Sequence, residues 1–194
     1  MKPMKQYLSR ACVVLLCWTG PCAAHAEILN YDDVRPGKLE GRLVVQWMEP
    51  DLFLFIPDAQ SPLTFTRSDG RTITPGTMKT DGGSIPRPIW ILRSYSPWGF
   101  APAFIVHDWL FEMKACKKEG YDKLTLEDSG LVMAEIMKTM IVGKKIDAGQ
   151  LAVVSMYEAV VSTPARKHWE QGVCAPVKPG LFNERPIQKF TLSF

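Results

Sequence analysis

The amino-acid sequence predicts an α+β domain in which a small N-terminal antiparallel β region is followed by about three packed helices. Short runs rich in β-branched and aromatic residues fill the early part of the chain, whereas from about residue 102 the apolar residues recur at helical spacing. Strands and helices do not alternate, which disfavours a parallel βαβ sheet. The 194 residues contain no internal repeat and no linker-like stretch, so residues 27–194 are predicted to form a single domain.

Residues 1–26 are predicted to be a secretory signal peptide rather than part of the fold. Three basic residues come first, an apolar stretch follows over residues 11–18, and Ala24 and Ala26 place small side chains where signal peptidase cuts. A retained membrane anchor is the alternative, but no apolar run approaches the ~20 residues that span a bilayer. We therefore expect cleavage after Ala26, no transmembrane segment in the mature chain, and a periplasmic or secreted location.

Removal of the signal peptide makes the chain electrically neutral. The peptide holds three of the 23 basic residues and none of the 20 acidic ones, so the mature chain carries 20 of each. A nucleic-acid-binding protein needs clustered lysine and arginine to neutralise phosphates, and pairs such as Lys117-Lys118 are isolated. We therefore expect no nucleic-acid partner.

Two cysteines, Cys116 and Cys174, remain in the mature chain. In an oxidising compartment such an even pair predicts a disulfide, which would close a loop of 58 residues. Two unrelated buried thiols are the alternative. Neither cysteine lies in a close cluster with another cysteine or a histidine, which disfavours a structural zinc site.

Four short segments are predicted to be strands because they are rich in β-branched and aromatic residues: 42–48, 52–56, 63–66 and 71–74. Asp69-Gly70 separates the last two and predicts a hairpin turn. Residues 187–194 alternate again between apolar and polar side chains, and they are predicted to return as an edge strand.

Three segments are predicted to be helices. Residues 103–115 are apolar on nearly every side, which is typical of a buried helix. Residues 125–142 follow, and Thr125 with Asp128 opens this segment in the manner of a capping box. The third runs over 147–162, and Pro164 is predicted to end it.

Residues 80–87 are predicted to form a loop of small and polar residues between the sheet and the first helix. Gly82 and Gly83 can adopt positive φ, so that backbone groups can converge on an ion or a substrate oxygen. The alternative is a simple turn that the side chains of Asp81 and Ser84 stabilise through backbone hydrogen bonds.

The adjacent residues His107 and Asp108 lie in the most apolar of the predicted helices. A buried carboxylate requires a partner. Neighbouring helix residues point about 100° apart, so the two side chains can face one cleft, His107 as a base and Asp108 as a cation ligand or positioning group. Asp128 is a candidate to orient the second imidazole nitrogen. Alternatively, Asp108 and Glu112 form a solvated stripe and His107 is a core residue.

The loop and the His-Asp pair together resemble an uncharacterised family of phages and bacteria, the domain of unknown function numbered thirteen fifty-three. The family's pattern is similar to Thr-Asp-x-x-Ser-[Ile/Val]-Pro-Arg followed by His-Asp-x-Leu-[Tyr/Phe], and the resemblance covers about residues 45–142. It implies a set of signature positions, which here are Asp81, Ser84, Pro86, Arg87, His107, Asp108 and Asp128. Among them, Asp81, Ser84 and Arg87 would bind substrate. The resemblance implies a site more than an activity.

A second resemblance concerns secretory phospholipases of the A-two type, which carry His-Asp-x-x-Tyr on a helix after a Gly-rich calcium loop. Here His107-Asp108-x-x-Phe111 follows Asp81-Gly82-Gly83, with Phe111 in place of the tyrosine. The similarity implies that Asp108 could be a metal ligand for a divalent cation such as calcium.

Two hypotheses from different classes follow. The first is an exported hydrolase of ester or amide bonds, in which His107 activates water and Asp128 orients it. Asp108, with loop carbonyls, would hold a cation that stabilises the oxyanion. The second is a non-catalytic envelope or phage-derived binding protein, in which Asp81, Arg87 and Asp108 form a buried network. A cleft open to water at His107 would favour the first.

Overall fold

The computed structural model describes residues 28–49, 52–80, 99–178, 180 and 185–194. Its strands are β1 (Lys38–Glu40), β2 (Arg42–Met48), β3 (Leu52–Phe55), β4 (Thr64–Thr66), β5 (Thr72–Ile73), β6 (Met78–Thr80) and β7 (Gln188–Ser193). Its helices are α1 (Ala101–Ala115), α2 (Leu126–Val142), α3 (Gln150–Val160) and α4 (Thr163–Gln171), with short 3₁₀ turns at Tyr31–Asp33 and Tyr121–Lys123.

The predicted α+β fold is confirmed, with antiparallel strands first and helices after them. The strands form two antiparallel sheets, one of order β1-β4-β5 and one of order β6-β3-β2-β7. β2 to β5 lie where the sequence predicted strands, and β7 takes the predicted edge position beside β2. β1 and β6 have no predicted counterpart, because three residues are too few for an alternation to be recognised.

The Asp-Gly turn between β4 and β5 forms as predicted. Gly70 has a φ of 88°, a conformation that costs glycine little and other residues much. The backbone N–H of Arg67 donates to the carbonyl of Arg71 at 2.8 Å, which closes the hairpin. The turn therefore presents two arginines side by side.

β2 lies inside its sheet and pairs with a strand on each side. It pairs with β3 from Val45 to Met48 and with β7 from Arg42 to Trp47. Its residues Leu43, Val44, Val45 and Met48 are buried. β7, in contrast, has only exposed residues and contributes mainly its backbone hydrogen bonds.

α1 and α2 form the helical core. α1 buries its N-terminal half as far as His107, with a proline in its first turn, where no backbone donor is needed. α2 begins as predicted: the side chain of Thr125 accepts a hydrogen bond of 3.0 Å from the backbone N–H of Asp128. Both helices pack into a single hydrophobic core with β2 to β4.

The described residues form four helices where the sequence predicted about three, because a short fourth helix, α4, follows α3 almost directly. Pro164, predicted to end the third helix, instead lies in the first turn of α4. Proline breaks a helix interior but fits its first turn, so the same residue is consistent with either an end or a start. None of the helices among the described residues combines the length and apolar character that a membrane crossing requires.

Candidate functional site

β6 and α1 bring together a polar group of three side chains. The Thr80 hydroxyl, at the end of β6, donates a hydrogen bond of 2.7 Å to Oδ2 of Asp108. The other carboxylate oxygen, Oδ1, lies 3.9 Å from Nδ1 of His107. The distance is too long for a hydrogen bond, but it places a negative charge beside the imidazole.

His107 is nearly buried, with 8% of its surface exposed. Its Nε2 atom is buried and has no hydrogen-bond partner within the part of the chain that the structure describes. A buried polar atom without a partner costs about 1–3 kcal/mol. None of the described residues therefore offsets this cost for Nε2.

The sequence placed Asp128 against His107, and the structure does not bring these two residues together. Oδ1 of Asp128 accepts a hydrogen bond of 2.7 Å from Nη1 of Arg67, and Oδ2 lies 3.6 Å from Nη1 of Arg71. Asp128 thus belongs to the contact between α2 and the β4–β5 turn. The role of orienting His107 is accordingly withdrawn for this residue.

The same contact contains a carboxylate that sequence reasoning missed. Glu135, two turns after Asp128 on the same face of α2, accepts two hydrogen bonds from Arg67 at 2.7 and 2.8 Å. The side chains of Arg67 and Glu135 are 4% and 6% exposed. Burial by itself lowers the pKa of Arg67, but the bonds to both carboxylates outweigh it and raise that pKa, so the guanidinium stays charged.

A cavity of about 570 Å³ lies along α1 and contains the polar group. One face of α1 lines it at helical spacing: Phe104, His107, Asp108, Phe111, Glu112 and Ala115. β6 contributes Lys79 and Thr80. The opposite side comes from the end of α3, from α4 and from Gly172 and Val173, which follow α4.

Aromatic rings form the middle of the cavity wall. Phe111 lies 4.8 Å from the His107 ring and makes an edge-on contact of 4.8 Å with Trp169 of α4. His168 stacks on the same phenylalanine at 5.7 Å. The rings thereby join α1 to α4 within the wall of the cavity.

The predicted disulfide between Cys116 and Cys174 is present, with the two Cα atoms 4.5 Å apart. Cys116 follows the last residue of α1 and Cys174 lies shortly after α4. The bond therefore fastens the segment after α4 to the end of α1, next to the cavity.

The three predicted substrate-binding residues, Asp81, Ser84 and Arg87, lie outside the described residues. The carbonyls of Gly82 and Gly83, predicted to help Asp108 hold a cation, lie outside them as well. Within the described ranges, His, Cys, Asp and Glu side chains form no group of three that could bind a metal ion.

Sequence reasoning missed Lys79, His168 and Trp169 as residues of the cavity. It placed Glu112 with Asp108 on one helical face, and the structure shows that this face lines the cavity. For His168 and Trp169, nearness in sequence to Cys174, whose disulfide partner follows α1, was the available signal.

Comparison with family models finds one match, described as "Protein of unknown function (DUF1353)", over residues 59–160. The match covers more than half of the chain, and it includes β4 to β6 and α1 to α3. The resemblance was expected over about residues 45–142. The family match starts later, at residue 59, and extends further, to the end of α3. Comparisons with curated proteins and with solved structures give no match. On this evidence, the chain belongs to the DUF1353 family.

Proposed function

We propose that the protein is an exported hydrolase of ester or amide bonds, with its active site in the cavity between α1 and α4. One observation carries the proposal. A nearly buried histidine, whose Nε2 has no hydrogen-bond partner among the described residues, lines the same cavity as a carboxylate and a lysine. Titratable groups that converge in a concave site are typical of hydrolytic centres.

His107 would act as the general base. With the proton on Nδ1, which faces Asp108, the lone pair lies on Nε2. Nε2 is buried in the structure, so this role requires a local movement that brings the attacking water to it. The imidazolium that forms is stabilised by the Asp108 carboxylate. Thr80 holds that carboxylate in place through its hydrogen bond.

Lys79 would stabilise the oxyanion that develops on the attacked carbonyl. Lys79 precedes Thr80 in β6, is exposed, and is one of the residues that line the cavity. A positive charge brought near the reacting carbonyl lowers the barrier by stabilising the tetrahedral intermediate. This role does not require a divalent cation, and a calcium ion at Asp108 remains a separate prediction.

The disulfide supports the proposed periplasmic or secreted location. Disulfides persist in oxidising compartments and are rare in the reducing cytosol. Cys116 and Cys174 are bonded in the structure, which is consistent with the signal peptide predicted over residues 1–26.

The test is an activity screen of the exported, oxidised protein on p-nitrophenyl esters and the matching anilides, with calcium and with a chelator. Replacement of a general base typically costs a factor of about 10²–10⁴, so we expect His107→Ala and the closer-sized His107→Gln to lower kcat at least 100-fold. Asp108→Asn should lower it less, because Asp108 does not hydrogen-bond His107. Asp122→Asn, the same change at an exposed residue, is the matched control. Circular dichroism checks that all four variants fold.

A non-catalytic structural or binding role is the second candidate, and the ion pairs of Arg67 with Asp128 and Glu135 favour it. In that group of residues, both carboxylates accept hydrogen bonds from Arg67, so charged residues of this fold can have a purely structural role. Under this alternative, the wild-type protein hydrolyses none of the substrates and His107→Gln changes only the stability.

A further inference from the structure

We infer that the cavity along α1 binds the linear acyl chain of a carboxylic ester, with the ester carbonyl at His107 and the chain directed toward Ala115. This inference rests on the proposed hydrolase function and names its substrate class. It depends on three features of the cavity: its length along α1, the partners of the polar side chains in its wall, and the segment that bounds it at Ala115.

The cavity is elongated because one helix lines it over three turns. Phe104 and Ala115 both contact it, and eleven residues at about 1.5 Å per residue separate them by roughly 16 Å. His107 and Asp108 lie in the first part of this path. About 12 Å of helix then leads from His107 to Ala115, which suits an extended chain rather than a compact group.

Beyond the His107 end, the polar side chains of the wall are engaged with neighbours. Glu112 lies 3.7 Å from the ammonium of Lys118. The Ser162 hydroxyl donates to the carbonyl of Ala159 at 2.7 Å. His168 presents its ring to Phe111.

The rest of this part of the wall is apolar. It consists of Phe111, Ala115, Ala159, Val160, Pro164, Ala165, Trp169 and Val173. A ligand that extends past His107 therefore meets carbon atoms on most sides, and a chain of methylenes gains from leaving water there.

At its far end the cavity is bounded by the segment after α4. A Cβ atom built on Gly172 would lie 3.6 Å from the Cβ of Ala115, so this segment lies close to α1 there. The disulfide between Cys116 and Cys174 fastens the same place. Because this boundary limits the apolar wall to the stretch between His107 and Ala115, we expect a medium chain to be preferred over a long one.

The experiment compares kcat/KM for p-nitrophenyl acetate, butyrate, octanoate and palmitate. Burial of one methylene is worth about fourfold, and since the cavity is partly open we expect octanoate to exceed acetate at least about 50-fold and also to exceed palmitate. Ala165→Phe, which fills the cavity from α4, should lower the octanoate-to-acetate ratio about tenfold. Ala175→Phe is the matched control, since Ala175 is exposed and outside the cavity wall.

A binding measurement separates this inference from the proposed function. Sodium octanoate is titrated calorimetrically into the wild-type protein and into His107→Gln, with sodium acetate as the reference. Octanoate binding to both proteins, weakened by Ala165→Phe, supports the inference. Hydrolysis with equal kcat/KM for all chain lengths, or the absence of octanoate binding, overturns the acyl-chain inference and leaves the hydrolase proposal standing. Octanoate binding without hydrolysis of any ester overturns the hydrolase proposal instead.

Discussion

Replacement of Arg67 by methionine should destabilise the fold more than any other change to a charged residue described above. The substitution removes three hydrogen bonds of 2.7–2.8 Å and leaves the Glu135 carboxylate, which is 6% exposed, buried without a counter-charge. Breaking a buried ion pair in this way costs about 3–5 kcal/mol. The lost hydrogen bond to Asp128 adds little to this cost, because Asp128 is 24% exposed and still has Arg71 at 3.6 Å.

Urea unfolding of the oxidised protein measures this cost. With a slope of about 2 kcal/mol per molar urea, Arg67→Met should lower the unfolding midpoint by roughly 2 M. The double variant Arg67→Met/Glu135→Leu should recover at least half of the lost free energy, because it removes both buried charges. Arg71→Met is the control: its side chain is 59% exposed, and its loss should cost less than about 1 kcal/mol.

The reasoning fails if Arg67→Met costs less than about 1 kcal/mol. It fails equally if the free energy lost in the double variant equals the sum of the losses in Arg67→Met and Glu135→Leu. The two charges would then act independently.

Three further predictions concern the disulfide, acid stability and processing. Replacement of Cys116 and Cys174 by serine should cost about 4 kcal/mol in the chain-entropy account of a 58-residue loop and should speed proteolysis within α4; equal stability of the reduced and oxidised protein would contradict this. The hydrogen bond from Arg166 lowers the pKa of Glu127 below its usual 4.5, so the small contribution of this exposed pair is present above pH 4.5 and lost as the pH falls through the folded pKa. Glu127→Gln should therefore cost more stability at pH 7 than in acid, as followed by urea unfolding. N-terminal sequencing of exported protein should begin at Glu27, and retention of residues 1–26 would refute the signal peptide.

Local chemistry made several elements predictable from the sequence. The Asp69-Gly70 turn, the Thr125 cap of α2 and the apolar circumference of α1 each depend on residues within a few positions of one another. The same holds for the β-branched and aromatic content of β2 and for the alternation in β7. Such patterns specify the elements but not their partners.

The errors arose where the partner lies far away in sequence. Asp128 was proposed as the partner of His107 because the two residues lie in consecutive predicted helices. Its partner in the structure is Arg67, which is 61 residues away in sequence. A salt bridge of this kind depends on how the β4–β5 turn packs against α2, which no local pattern encodes. Trp169 was missed for the same reason, because its contact with Phe111 exists only once the disulfide and α4 are in place.

The pairing of β2 with β7 has a consequence for where the chain can be cut and for when it can fold. Arg42 faces Ser193 and Trp47 faces Gln188, and both strands lie outside the residues 59–160 that match the family. A fragment trimmed to the matched region would lose β1 and β3 as well as these two strands, which leaves β6 without a paired strand and β4 without β1. We expect such a fragment to aggregate through its unpaired strand edges and uncovered core side chains. During synthesis of the intact chain, β2 is made early, whereas its partner β7 is made at the end. We therefore expect the pairing of these two strands to be a late, long-range step in folding.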